Sequence, residues 1–286
     1  MDYILNYLPR QIYSEIMQVF STNPELINTL QEIRIRASKP IILKKRDKDV
    51  VLNHIVTSEE ILHIVERFCE NSIYAYKNQL CDGFITIKGG HRIGITGTCV
   101  IENGKIINIK YISCLNIRIA REIIGCSNYV IKEIIDLENN TILNTLLVSP
   151  PGKGKTTMLR DLVRQISNGI NINNFGGKTI GLIDERGEIA ACYRGIPQND
   201  VGIRTDVIEN VTKTKGVEIL LRSMAPDIIA CDEIGTKEDA QAIEKMLISG
   251  VKGLFTMHGS DIEDVRKNQE ISKLIENNQI EKIIII

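Results

Sequence analysis

The chain has 286 residues, enough for two ordinary domains of about 100–200 residues each. Hydrophobic residues make up 43% and charged residues 25%, the profile of a soluble globular protein, and a net charge of −1 offers nucleic acid or acidic membrane no bulk attraction. Seven cysteines stand singly with no C-x-x-C pair and four histidines form no metal-spaced cluster, which argues against a disulfide framework and against a zinc site.

No apolar run approaches the roughly 18–20 residues of a membrane span. The start, Met1-Asp2-Tyr3-Ile4, lacks a basic segment followed by an apolar core. The expectation is a cytoplasmic protein, with a peripheral membrane role open.

Residues 1–130 read as a smaller α+β domain. Leu8-Pro9 precedes a helical stretch, and Asn23-Pro24-Glu25 has the form of a helix start with proline in its first turn. Ile33-Arg34-Ile35-Arg36 alternates as a half-buried strand does. Thr57-Ser58-Glu59-Glu60 opens a helix to about Glu70, its serine and glutamates placed to cap the first turn. Two β-rich runs then flank Gly89-Gly90, which permits a tight hairpin turn, and a further strand is expected at 114–119.

From about residue 141 the pattern becomes strand, loop, helix, strand. Strands are expected at 145–148, 179–183, 228–231, 254–257 and 282–286, and helices at about 155–167, 216–224 and 237–249. Such alternation implies a parallel sheet covered by helices, in which ligands sit beyond the carboxyl ends of the strands.

The informative residues follow the strands. After Thr145-Leu146-Leu147-Val148 comes Ser149-Pro150-Pro151-Gly152-Lys153-Gly154-Lys155-Thr156-Thr157. The amides of such a loop, with the helix N-terminus behind it, cradle phosphate, Lys155 reaches the β- and γ-phosphates of ATP, and Thr156 ligates Mg2+. Ser149 stands where the motif begins with glycine, so the turn there must tolerate a side chain.

After Ile180-Gly181-Leu182-Ile183 comes Asp184-Glu185-Arg186-Gly187-Glu188, where a carboxylate, Glu185, can orient the attacking water. After Ile228-Ile229-Ala230-Cys231 come Asp232, which would hold Mg2+ through its water shell, and Glu233, which would polarise the attacking water. The pattern leaves open which of Glu233 and Glu185 is the main base, with Glu233 preferred. His258, after Leu254-Phe255-Thr256-Met257, can sense the γ-phosphate and transmit its loss to a neighbouring subunit. Residues 190–215 lack periodicity and carry Arg194 and Arg204; Arg204 is the candidate arginine within the core, a plain surface arginine being the competing reading.

This order of phosphate loop, acidic box, aspartate-glutamate strand and histidine resembles the secretion ATPases of the type II and type IV pilus class. The stretches Asp184–Ile189, Gly195–Val207 and Leu221–Asp227, with Gly89–Gly94 and Leu115–Ala120, are similar to the stage III sporulation AA family. The resemblance covers nearly the whole chain, although the family pattern usually runs past its last strand and this chain stops at Ile286.

It implies a RecA-like ATPase core over 131–286 using ATP and Mg2+, a homohexamer, and no nucleic-acid partner. It further implies a place on the mother-cell side of the forespore outer membrane, held by membrane proteins of the sporulation channel encoded with it. Secretion ATPases set the nucleotide between the core and a first domain, often a neighbour's, so Arg92 and Arg118 become candidates to answer charge on the γ-phosphate; the competing reading is surface pairing with carboxylates.

The rivals are a nucleic-acid motor on the same core, disfavoured by neutral charge and 5% aromatic residues with no tryptophan, and a scaffold without hydrolysis, disfavoured by Lys155, Thr156, Asp232 and Glu233.

Overall fold

Ile33 and Ile35 are fully buried while Glu32, Arg34 and Arg36 between them stay partly exposed, the two-residue period of a strand with one face on a core. The computed structural model that shows this describes residues 2–45, 48–170 and 175–286, and divides into two compact units, Met1–Arg121 and Glu122–Ile286.

The first unit begins with helices α1 (Asp2–Leu5), α2 (Arg10–Thr22) and α3 (Leu26–Thr29). Strands β1 (Leu30–Arg36), β2 (Pro40–Lys45) and β3 (Val50–Ile55) follow, then α4 (Ser58–Phe68) and α5 (Lys77–Cys81), then β4 (Phe84–Ile87), β5 (His91–Glu102) and β6 (Lys105–Arg118). The strands form one antiparallel sheet in the order β3-β2-β1-β6-β5-β4. Its apolar face packs with Ile12, Ile16 and Phe20 of α2 and Ile61, Ile64, Val65 and Phe68 of α4. Burying each such side chain contributes about 1.5–3 kcal/mol.

Three local features differ from expectation. The cap of α4 is Thr57, not Ser58: its hydroxyl accepts from the Glu60 amide at 3.1 Å, and Glu60 accepts from the Thr57 amide at 2.8 Å. The proline-led start at Asn23 opens only the four-residue α3, since β1 begins at Leu30. Strands β5 and β6 also extend well past the expected runs, because Asn103 (φ +49°) and Gly104 (φ +75°) close a two-residue hairpin turn between them.

The second unit opens with α6 (Ile131–Ile134), β7 (Ile135–Asp136) and β8 (Thr141–Ile142). Its framework is β9 (Thr145–Ser149), α7 (Lys155–Asn168), β10 (Ile180–Asp184), β11 (Thr205–Glu209), α8 (Lys213–Ser223), β12 (Ile228–Cys231), α9 (Lys237–Ile248) and β13 (Lys252–His258). It ends with α10 (Ile262–Lys267), α11 (Gln269–Glu276) and β14 (Lys282–Ile285). Six strands form a fully parallel sheet in the order β11-β10-β12-β13-β9-β14.

Alternate strand residues feed two cores. Leu147, Leu182, Ala230 and Leu254 pack with Leu159, Leu162 and Ile166 of α7, whereas Val148, Ile183, Cys231 and Phe255 pack with Val217, Leu220, Ile243 and Met246 of α8 and α9. Helix α8 lies close on β10 through glycine: a Cβ at Gly216 would sit 2.9 Å from Ile183, and one at Gly181 2.8 Å from Leu220. Strand β11 lies inside the stretch expected to be irregular. It is an edge strand with all five residues half-buried, so it carries no alternation for a sequence pattern to detect.

Residues 125–127 are tied to α7 by one buried acid. Asp161, 3% exposed, accepts from the Gly125 amide at 3.0 Å, the Ser127 amide at 2.9 Å and the Ser127 hydroxyl at 2.7 Å. Arg164 adds an ion pair at 2.7 Å. Burial alone would raise this carboxyl, but the amides, the hydroxyl and Arg164 outweigh it and hold it well below the usual carboxylate range. A depressed carboxyl contributes stability above its unfolded value, near 3.9, and that contribution is lost as pH falls through the folded value. Asp161→Asn should therefore cost about 1–3 kcal/mol in urea unfolding at pH 7, with the gap to wild type narrowing below about pH 4; an equal gap at pH 7 and pH 3 would contradict an ionised Asp161.

Candidate active site

Parallel register brings the ends of three strands to one edge. His258 pairs with Ser149 across β13 and β9, and Cys231, the last residue of β12, pairs with Phe255 of β13. The polar residues that follow each strand therefore emerge side by side.

After β9 the chain turns through Pro150 to Gly154 into α7. Gly152 (φ +75°) and Gly154 (φ +94°) occupy the left-handed region, which strains any residue with a Cβ. Ser149 is still in strand conformation and fully buried, its hydroxyl donating to the Pro150 carbonyl at 3.1 Å. A side chain is thus tolerated where the motif has glycine, because the left-handed residues come later in the loop. Gly154 leads into the N-terminus of α7, whose unpaired amides and dipole favour an anion.

Lys155, 5% exposed, donates to the Ser149 carbonyl at 2.8 Å and lies 2.9 Å from His258 Nδ1. Burial pushes its ammonium below the ordinary lysine value against the pull of Asp232 and Glu233. The Nε2 of His258 lies 2.9 Å from Glu233 Oε1, so the tautomer protonated at Nε2 accepts from Lys155 and donates to Glu233 at once. Arg186 pairs with the other oxygen of Glu233. Glu233 itself has φ +51°, a conformation that costs a non-glycine residue about 1–3 kcal/mol and is characteristic of functional turns.

Thr156 Oγ1 donates to Asp232 Oδ2 at 2.8 Å. This pair of hard oxygens suits Mg2+, which is held by one or two protein oxygens together with phosphate and water and not by a cage of side chains. Among the described residues no group of three or more histidine, cysteine, aspartate or glutamate side chains gathers as such a cage.

The acidic box divides its labour. Asp184, 1% exposed, accepts from the amides of Glu188 at 2.9 Å and Ala190 at 2.9 Å, so it shapes its own loop. Arg160 of α7 braces that loop from the other side, donating to the carbonyls of Glu188 at 2.7 Å and Ile189 at 2.6 Å. Glu185 is paired with Lys213, the first residue of α8 and 7% exposed. Burial would lower the Lys213 ammonium, but the Glu185 hydrogen bond and Asp239 outweigh it and raise it. Glu185, Arg186, Lys213, Asp232 and Glu233 line one small cavity.

Of the sequence candidates, Lys155, Thr156, Asp232, Glu233 and His258 come together and Glu185 lies beside them. Arg204 does not join them within one chain: it donates to the Ser167 carbonyl at 2.9 Å, near the end of α7 opposite Lys155, about 18 Å along the helix axis. Its carbonyl accepts from the Ile180 amide, at the start of β10 and not at its carboxyl end.

In the first unit, Arg92 and Arg118 oppose each other across β5 and β6. The Arg92 guanidinium lies 3.6 Å over the Phe84 ring, and Arg118, 61% exposed, lies 3.7 Å from Glu32. Lys213 and Arg160 are neighbours of the site that the sequence reading missed. A buried lysine in the first turn of a helix, against the dipole, has no pattern of its own and makes sense only once Glu185 is seen beside it. Arg186 did carry a signal, as the single cation of the acidic box.

The family model for sporulation stage III, protein AA, matches residues 5–286. The stage III sporulation protein AA of Bacillus subtilis (strain 168) is 38% identical over 255 residues, covering 89% of this chain and 81% of that protein. Among solved structures, the ATPase DotB of Legionella pneumophila superposes with a TM-score of 0.58 at 16% identity, over 93% of this chain and 73% of that one. The pilus retraction motor PilT, solved with bound ADP, gives a TM-score of 0.51 at 13% identity, over 87% and 69%. At such identities the two structures speak for the fold, a RecA-like parallel-sheet core with a smaller α+β unit before it. The sequence match carries the rest, running from the first helices to the last strand through every strand end described above: the chain belongs to the stage III sporulation protein AA family.

Proposed function

We propose that the chain is a secretion-type ATPase that hydrolyses ATP where β9, β12 and β13 end. The observation that carries this reading is the convergence at that edge of Lys155, Thr156, Asp232, Glu233 and His258, linked by contacts of 2.8–2.9 Å. The amides of the Pro150–Gly154 loop and of the first turn of α7 bind the phosphates, and Lys155 exchanges His258 for the β- and γ-phosphate oxygens. Thr156 and Asp232 would hold Mg2+, which when bound neutralises charge on those oxygens.

Glu233 polarises the attacking water. Arg186 and His258 each pair with one oxygen of its carboxylate and aim it, whereas the carboxylate of Glu185 is bound by Lys213 and serves the surroundings of the site. Arg92 and Arg118 answer charge on the γ-phosphate from a neighbouring subunit of a homohexamer. The ring energises a membrane-associated sporulation channel between mother cell and forespore, working from the mother-cell side through membrane proteins encoded with it. Among the described residues no helix is long and apolar enough to cross a membrane.

Three measurements test this. Lys155→Ala should lower ATP turnover at least about a hundredfold, since a fixed charge facing the phosphates is removed from a confined site; turnover near wild type would refute the phosphate-loop assignment. Glu233→Gln should bind ATP normally yet hydrolyse it far more slowly than Glu185→Gln, and the reverse ranking would transfer the base to Glu185. For the ring, native mass with a non-hydrolysable ATP analogue should give a hexamer and turnover should rise steeply with protein concentration. Arg92→Ala mixed with Lys155→Ala should recover part of the activity; concentration-independent turnover without recovery would rule out action across a subunit boundary.

A further inference from the structure

Strand β13 runs through the middle of the parallel sheet, with Leu254 in the core beneath α7 and Phe255 and Met257 in the core beneath α8 and α9. Thr256 shares the Leu254 side and is completely buried. A hydroxyl in such a place is costly unless it is fully bonded.

The Oγ1 of Thr256 donates to Asp232 Oδ1 and accepts from the Glu233 amide at 2.8 Å. The Thr256 carbonyl accepts from the Ile234 amide at 2.8 Å. One residue thereby binds three consecutive residues of the turn that holds Glu233 at φ +51°. The other oxygen of Asp232, Oδ2, accepts from Thr156 at 2.8 Å. Two hydroxyls thus hold the two Asp232 oxygens, one each, and only Thr156 belongs to the phosphate-loop motif.

The geometry assigns Thr256 as a positioning residue of this site: it fixes which oxygen of Asp232 is presented to Thr156 and holds the left-handed turn that aims Glu233. The assignment rests on the proposed ATPase reading. Thr256 acts through Asp232 and Glu233. Valine at this position keeps the branched shape and strand preference but leaves Asp232 Oδ1 and the Glu233 amide without their partner. Serine keeps the hydroxyl and loses only a methyl group.

The test compares wild type, Thr256→Val, Thr256→Ser and Lys155→Ala as full chains. Turnover is titrated with Mg2+ at saturating ATP, and affinity for a fluorescent ATP analogue is measured separately without Mg2+. Thr256→Val should lower kcat and raise the half-saturating Mg2+ concentration, each by about 10–100-fold, as loss of a group orienting a metal ligand does, while leaving analogue affinity unchanged. Thr256→Ser should restore both quantities.

A valine variant that matches wild type in kcat and in Mg2+ requirement overturns the assignment. Valine and serine variants equally impaired overturn it too, because the lost methyl packing would then be responsible. A wild-type chain that turns over no more ATP than Lys155→Ala would sink the ATPase reading itself and this assignment with it, an outcome distinct from the other two.

Discussion

The site depends on the ladder of parallel hydrogen bonds that joins β12 to β13 and β13 to β9. Parallel strands all end at the same edge, so whatever polar groups follow them are brought together. The same ladder forces both faces of the sheet to be covered, because each crossover lays a helix on one face. That is why β9, β10 and β12 are buried at every residue, and why their chemistry is displaced to the residues just beyond them. Thr256 is a buried polar residue within the ladder, and its position is explained by the Asp232 carboxylate and the Glu233 amide that its hydroxyl holds.

Charge balance governs the arrangement at that edge. Asp232, Glu233 and Glu185 face Lys155, Arg186, His258 and Lys213 around one small cavity and the loop beside it. Charges taken out of water must be paired, and a cavity of low dielectric strengthens each pair. His258 is the link between the cation of the phosphate loop and the acid of β12, since one ring touches Lys155 and Glu233. Under the proposed function, a phosphate that takes Lys155 from this ring also changes what holds Glu233, which couples nucleotide binding to the aim of the base without any large movement.

Helix α7 is the mechanical counterpart of that edge. Its first turn carries Lys155 and Thr156, its second carries Asp161, which gathers residues 125–127, and near its last turn Ser167 receives Arg204. Arg160, on the same helix, holds the carbonyls of the acidic box. Movement of α7 would therefore disturb the phosphate loop, the acidic box and the entry segment of this unit together. Asp161 and Arg204 are fixings for the helix, while Lys155 and Thr156 lie in its first turn.

Local chemistry was legible in the residue order. The glycines of the phosphate loop, the lysine and threonine behind them, and acids following runs of apolar residues are constraints that act between neighbours, so the sequence by itself determined the parallel core, the loop and the Asp232-Glu233 turn. The Asn103-Gly104 turn, both of whose residues adopt positive φ, and the long hairpin it closes were not expected. Strand β11 was not legible, because a half-buried edge strand has no period. Only the tertiary structure decided which partner each acid meets, because these partners come from elsewhere in the chain: Arg186 lies 47 residues from Glu233, Lys213 lies 28 from Glu185, and Thr256 lies 24 from Asp232. The same holds for Arg204, which the sequence places inside the core and the fold sends to the far end of α7. Which charge meets which depends on strand order and register, and these are set by the packing of whole helices and strands, not by any residue's neighbours along the chain.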